Sequence, residues 1–418
     1  TVQNPNGAID LLGTAARKLI VEALDADGNV IFGPGAPSFA VARTSGTLNL
    51  VLTQPTVYAP DVFTIQPPGN FSNATATLTI TASYGNTVTN GCAQTGAVCM
   101  ATQTVDMKEL LAVANGSGSQ SVTLYELPLA TPFATISTGV LFPQALVFDS
   151  SGDVFVANCG SCAASQDNVA EFTPPYNGAA AATLTANVSG PIGLALDPSG
   201  NLFVANAGTV PTVAISAPPY STSTAIATGG TPYAVALDTS DDLYVVNQVS
   251  NTMTAYTPPW TGAPILTISN GINTPVSMGL DGAGDVFVLN QGSTGSLTEY
   301  AVPLTNGMNA TNTITNGITT PGTAMAMYGN DAVVPTHGAG NHVQIYDPPY
   351  SSGMNPTTTV TNGLNVPSAV AIDGTGTLFA LNTGANDVTT YGGNGFSFPG
   401  PILTVPGLTS PQAIALLP

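Results

Sequence analysis

Residues 191–206 read PIGLALDPSGNLFVAN, from Pro191 to Asn206. A proline opens the phrase and residues alternate to Asp197. A short turn follows through Ser199 and Gly200, then four apolar residues and Asn206. Asp at the start of a tight turn and Gly near its end are the residues that such turns require, so the phrase predicts two short strands joined as a hairpin. Copies stand at 143–158 (PQALVFDSSGDVFVAN), 232–247 (PYAVALDTSDDLYVVN), 275–290 (PVSMGLDGAGDVFVLN) and 367–382 (PSAVAIDGTGTLFALN). A degenerate copy at 321–336 keeps the register but places Met327 where Asp belongs.

Downstream of each hairpin a third strand is predicted (NVAEF, TVAIS, TMTAY, SLTEY, HVQIY, DVTTY), followed by a Thr-rich fourth. The prolines at 143, 191, 232, 275, 321, 367 and 411 recur every 41 to 48 residues, the spacing of propeller blades. Before the first full copy lie LLAVAN (110–115), SVTLY (121–125) and FATIS (133–137), which read as the last three strands of a blade. After the last copy, Pro411 to Leu417 reads as a lone first strand. The sequence therefore predicts an all-β chain: a seven-bladed propeller over residues 106–418, its first blade closed by the C-terminal strand. Closure leaves no open sheet edge.

Residues 17–105 lack the repeat. LIVEALDADGNVIFG (19–33) predicts a hairpin, and SFAVA, LNLVLTQ, VFTIQ and ATLTITASY alternate at period two, as in a small β-sandwich. Residues 1–16 match no strand pattern and read as an N-terminal arm. The phrase from Pro191 to Asn206 resembles NHL-type repeats, with Asn206 where those repeats usually carry Asp and no Arg in the third strand. The resemblance implies a propeller over roughly residues 106–418. Residues 17–105 are similar to the bacterial Ig-like modules of surface proteins.

Charge excludes several function classes. Only 6 % of residues are charged, against about 25 % in ordinary domains. The four basic residues are Arg17, Lys18, Arg43 and Lys108, while acids continue to Asp387 and the net charge is -19. A field of that sign repels phosphates, which argues against nucleic acid and anionic membranes as partners. No apolar run reaches the length of a membrane span. The sequence starts at Thr1, without Met or leader, as expected either after removal of a signal peptide or where the numbering begins at a processed end. Cysteines in two close pairs, Cys92 with Cys99 and Cys159 with Cys162, predict two small disulfide loops in an oxidising compartment.

Candidate sites are few. His337 and His342 share one loop and make a weak metal site or an ordinary loop; streptogramin-lyase-like propellers use His with acids around the mouth, and this chain offers one His-bearing loop. Asp pairs in turns (Asp25/Asp27, Asp149/Asp153, Asp281/Asp285) offer oxygen ligands to Ca²⁺, or cap their own turns. Tyr176, Tyr220, Trp260 and Tyr350 follow Pro-Pro and predict either a face that stacks on sugars or packing across neighbouring blades. Sequons for N-glycosylation stand at Asn70, Asn73, Asn115, Asn187 and Asn309.

With no catalytic constellation, the expected function is a non-catalytic, secreted, self-assembling surface protein, bacterial in style, with no cofactor expected or Ca²⁺ alone. It would join head to tail through its arm and sandwich. A monomeric glycan-binding adhesin is the alternative, and a lyase-type enzyme the third reading. Trypsin is expected to release one large fragment starting at Glu109, even from denatured protein; a ladder of smaller pieces on a gel would contradict the absence of later cleavage sites.

Overall fold

The computed structural model describes residues 8–12, 17–21, 38–46, 50–53, 62–66, 74–83, 99–127, 131–159, 166–338, 340–392 and 403–417. Its described elements are all strands. The chain divides into two units, 1–109 and 110–417.

Unit 1 holds two sheets. Strands β1 (Ala8–Leu12), β7 (Cys99–Lys108), β6 (Ala74–Ser83) and β3 (Ser38–Gly46) form the first, in that order. Strands β2 (Arg17–Ile20), β5 (Val62–Gln66) and β4 (Val51–Thr53) form the second. Alternation sends Val41, Leu78, Ile80 and Val105 from one sheet and Phe63 and Ile65 from the other into one buried cluster. The reading of residues 1–16 as a strandless arm is corrected here: Ala8–Leu12 pairs in parallel with β7, Ile9 opposite Val105. The stretch AIDLL was too short to register as a strand, and a partner far downstream supplies its hydrogen bonds.

Unit 2 has a propeller-like fold. Six four-stranded antiparallel sheets each use four consecutive strands: β11–β14 (residues 143–184), β15–β18 (191–227), β19–β22 (232–268), β23–β26 (275–314), β27–β30 (326–360) and β31–β34 (367–405). A further four-stranded sheet is composite. Strands β8 (Leu110–Asn115), β9 (Ser121–Glu126) and β10 (Pro132–Ile136) are joined by β35 (Pro411–Leu416), which pairs antiparallel to β8 with Leu416 opposite Leu111. The second strands are buried throughout, apart from Asp331 at the start of β28, as near-continuous apolar runs such as LFVAN and VFVLN require. Cores lie between consecutive sheets: Phe155 and Leu184 pack with Val204 and Tyr220, Val246 with Val288, and Leu111 with Phe379 and Leu381.

A buried asparagine ends most second strands and latches the chain that enters the sheet. The Oδ1 atoms of Asn158, Asn206, Asn290, Asn382 and Asn115 accept the backbone N–H of Leu141, Ser189, Asn273, Asn365 and Thr409 at 2.9–3.1 Å. Each donor lies two residues before the hairpin proline. The amide's N–H₂ reaches the other way, as from Asn382 to Asp387 Oδ1 and Thr389 Oγ1. Neighbouring sheets are also tied by tyrosines ending third strands: the hydroxyls of Tyr300, Tyr346 and Tyr391 donate to the carbonyls of Asn270, Asn316 and Asn362 at 2.6 Å.

Asn247 stands in the same place, but its buried Oδ1 has no partner. A buried backbone donor stripped of its acceptor costs roughly 1–3 kcal/mol. Asn382→Ala is therefore expected to lower stability by about 2 kcal/mol and Asn247→Ala by clearly less, read as chemical denaturation midpoints. Equal losses would mean that the latch is not what these asparagines contribute.

Candidate functional site

The antiparallel order puts the Asp turns and the loops after third strands at one end of unit 2. The turns before third strands lie at the other end. In each turn the leading carboxylate caps its own backbone: Asp149 Oδ1 accepts from the N–H of Ser151 and Asp153, both at 2.8 Å, and Asp281 Oδ1 from Ala283 and Asp285, both at 2.9 Å. Asp285 Oδ1 in turn accepts from Val302 N–H at 2.8 Å, holding the next loop. Among the described residues no group of three or more His, Cys, Asp or Glu is arranged to hold a metal. Asp25 and Asp27 lie outside the described residues.

The four aromatics take the packing alternative. Tyr176 and Tyr220 are buried, and Trp260 and Tyr350 half-buried. Each reaches back to a carbonyl of the turn joining the first two strands of its own sheet: Tyr220 to Gly200, Trp260 Nε1 to Asp241 and Tyr350 to Asn330 at 2.6–2.9 Å, and Tyr176 to Gly152. Each also meets an aromatic of the preceding sheet, as in the edge-on pairs Phe155–Tyr220 and Phe203–Trp260, with centroids 5.0 and 4.9 Å apart. The reading as a sugar-stacking face is corrected for Tyr176 and Tyr220, which are buried, and all four rings clamp one sheet to the next.

Asn115 is likewise corrected as a glycosylation candidate. It is 2 % exposed and its amide serves the latch, so no glycan fits there. Asn187 and Asn309 are exposed. Asn70, Asn73, Cys92 and Cys162 lie outside the described residues, as does the side chain of Cys99. Cys159 is buried and disulfide-bonded. His337, whose N–H donates to the Thr320 carbonyl, has its imidazole pKa pushed down by burial.

What sequence reading missed is the space between the first strands. The first strands β11 (Pro143–Phe148), β15 (Pro191–Leu196), β19 (Pro232–Leu237), β23 (Pro275–Leu280), β31 (Pro367–Ile372) and β35, with the segment before β27 (Ala326–Tyr328), surround a cavity of about 260 Å³. Its side-chain hydrogen-bonding groups come from Gln144, Tyr233, Ser277, Thr323 and Gln412, and among the described residues no Asp, Glu, His, Cys, Lys or Arg lines it. A β-bulge recurs beside it: pairing slips after Pro143, Pro191, Pro232, Pro275, Pro367 and Pro411. The residues skipped include Gln144, Tyr233 and Gln412. Bulges re-aim a side chain out of the sheet's alternation. The signal was present in the sequence as the variable residue after each proline.

Carboxylates in the sheets are pushed upward by burial and then by one another. Glu171, on the third strand Asn168–Phe172, has its pKa raised to about 7 by burial and then by Asp153 and Asp149. Burial and the neighbouring Asp347 push Asp331 up as well. Residues 110–417 contain no Lys or Arg to offset this.

No family model matches the chain, and no curated protein does. Among solved structures, a protein from Lactobacillus plantarum is similar in fold at 12 % identity. Its TM-score is 0.58, with 75 % of this chain and all of that one covered. A protein of unknown function from Bacteroides caccae matches at 10 % identity and a TM-score of 0.46, over 74 % of this chain and 99 % of that one.

A raised Glu171 pKa stabilises the fold fully below its unfolded value of about 4.5, and that contribution is lost as pH rises through about 7. The melting temperature is thus expected to rise on acidification from pH 8 to about pH 5, and Glu171→Gln to flatten part of that rise. A melting temperature that falls over this window in the parent protein, or an unchanged slope in the variant, would contradict the assignment.

Proposed function

We propose that this protein is a non-catalytic extracellular or cell-surface structural protein whose copies join head to tail. Unit 2 is on this reading a seven-bladed, NHL-type propeller closed by β35, and unit 1 an Ig-like sandwich. The propeller reading is supported by the cyclic order of contacts among first strands: β11 meets β15, β15 meets β19, β19 meets β23, β23 meets β27, β27 meets β31, β31 meets β35, and β35 meets β11. The sandwich reading is supported by the strand orders β1-β7-β6-β3 and β2-β5-β4, with an N-terminal strand running parallel to the last one.

The observation that carries the assembly reading is the placement of the bases: unit 1 sets four bases against seven acids, and unit 2 sets sixteen acids against none. Every acid of unit 2 except Asp167 and Asp387 lies at the end that bears the Asp turns. Two unlike surfaces on one chain favour a heterologous contact, which extends into a fibre unless rotation closes it. The non-catalytic reading is supported by the cavity, whose lining holds no general base of ordinary strength and no metal ligand set.

The arm takes part by exchange. Because β1 is an edge strand paired, among the described residues, with β7 alone, the β1 of a neighbouring copy can supply the same five pairings. Negative-stain microscopy at low salt is expected to reveal fibres that shorten as salt is raised. Isolated particles of 41.9 kDa at both salts would overturn head-to-tail assembly. Cysteines at Ile9 and Val105, opposite each other in the register, test the exchange separately. Cross-linked multimers are expected on a non-reducing gel, and purely intrachain bridges would rule out strand exchange.

A further inference from the structure

The cavity among the first strands has a composition that selects a ligand class, whether or not the chain assembles. Gln144 and Gln412 stand at equivalent bulge positions on β11 and β35, two strands in contact. Each side chain is held the same way: Gln144 Nε2 donates to the Phe142 carbonyl at 3.1 Å and Gln412 Nε2 to the Ser410 carbonyl at 2.9 Å. One amide end is thereby fixed to the backbone, and the Oε1 of each remains to accept from a ligand hydroxyl. Thr323 Oγ1 donates to the Ser368 carbonyl at 3.2 Å and keeps its acceptor capacity. Across the cavity, Tyr233 packs on the core cluster of Val276 and Met325, which fixes its ring against the lining. Burial raises the pKa of its phenol, so the hydroxyl stays a donor at neutral pH.

Two classes of ligand are disfavoured by this lining. A charged molecule would lose hydration with no opposite charge to meet it. An anion would also face the acidic field of unit 2. A plain hydrocarbon would desolvate amides and hydroxyls without pairing them. A neutral ring bearing several hydroxyls satisfies both kinds of wall: hydroxyls to the glutamines and Thr323, C–H faces to Tyr233, Ile192 and Val276.

We propose that the cavity binds one neutral hexopyranose, as a free sugar or as the terminal unit of a glycan. Binding to the native full-length protein is measured by saturation-transfer NMR and calorimetry. The probes are glucose, galactose and mannose, their neutral disaccharides, and the charged glucuronate and glucosamine. At least one neutral hexose or disaccharide is expected to bind, with the charged analogues weaker by about tenfold or more. A disaccharide preference assigns the site to a glycan end, and binding of the monosaccharide alone assigns it to free sugar.

Gln412→Leu replaces an exposed side chain at the cavity wall, and Tyr233→Phe keeps the packed ring while removing the hydroxyl. Each is expected to weaken binding by about tenfold with the melting temperature of the parent. Failure of every neutral probe to bind, equal binding of glucuronate or glucosamine, or full binding retained in both variants would overturn the proposal.

Discussion

The fold of unit 2 depends on a buried amide that faces two ways. Asn158, Asn206, Asn290, Asn382 and Asn115 each accept a backbone N–H from the segment entering their sheet, and each donates through the same amide to a neighbouring carbonyl or hydroxyl. A sheet of three to six-residue strands has little of its own to fix where the next one starts. The asparagine does so without charge, which matters in a region lacking any cation to pair with a carboxylate. An aspartate there would present two acceptors and no donor. At the neighbouring turn position, Asp167 illustrates the cost: Oδ2 accepts the Gly190 N–H at 2.6 Å, while its buried Oδ1 has no partner.

Much of this was legible in the chain because the residues involved have narrow physical uses. Prolines marked the strand starts, Asp and Gly marked the turns, and apolar runs such as VFVLN marked strands buried on both faces. The pairing of Pro411–Leu416 was equally readable, since a lone first strand there matched a sheet missing one. The role of the asparagines was not readable, although every full copy ended on one. A repeat position reports that a residue is needed, and says nothing of which backbone group it serves.

Other features escaped for reasons of distance. The parallel partner of Ala8–Leu12 lies at Thr104–Lys108, and no local pattern announces such a pairing. Met327, at the place of the turn Asp, is accommodated by a neighbour in another sheet: a Cβ on Gly279 would stand 2.5 Å from Met327 Cγ, so the missing side chain at one position makes room for the larger one. The outer strands, only three to five residues long, are partly covered by the following sheet's loop. Gly307 and Gly353 donate to the carbonyls of Thr267 and Thr313, each at 2.9 Å, which blunts edges that would otherwise recruit other strands.

The pairing of β35 with β8 also sets a timetable. Leu111 is made early in synthesis and its partner Leu416 late, so the composite sheet stays one strand short while the other six are completed. Closing so long a loop costs only slowly more entropy than closing a short one. Order of arrival, rather than distance along the chain, therefore governs when the last sheet forms. Until residues 411–416 are available, the apolar side of Leu111 and Val113 lacks the cover of β35, and β8 keeps an unpaired edge open to other strands.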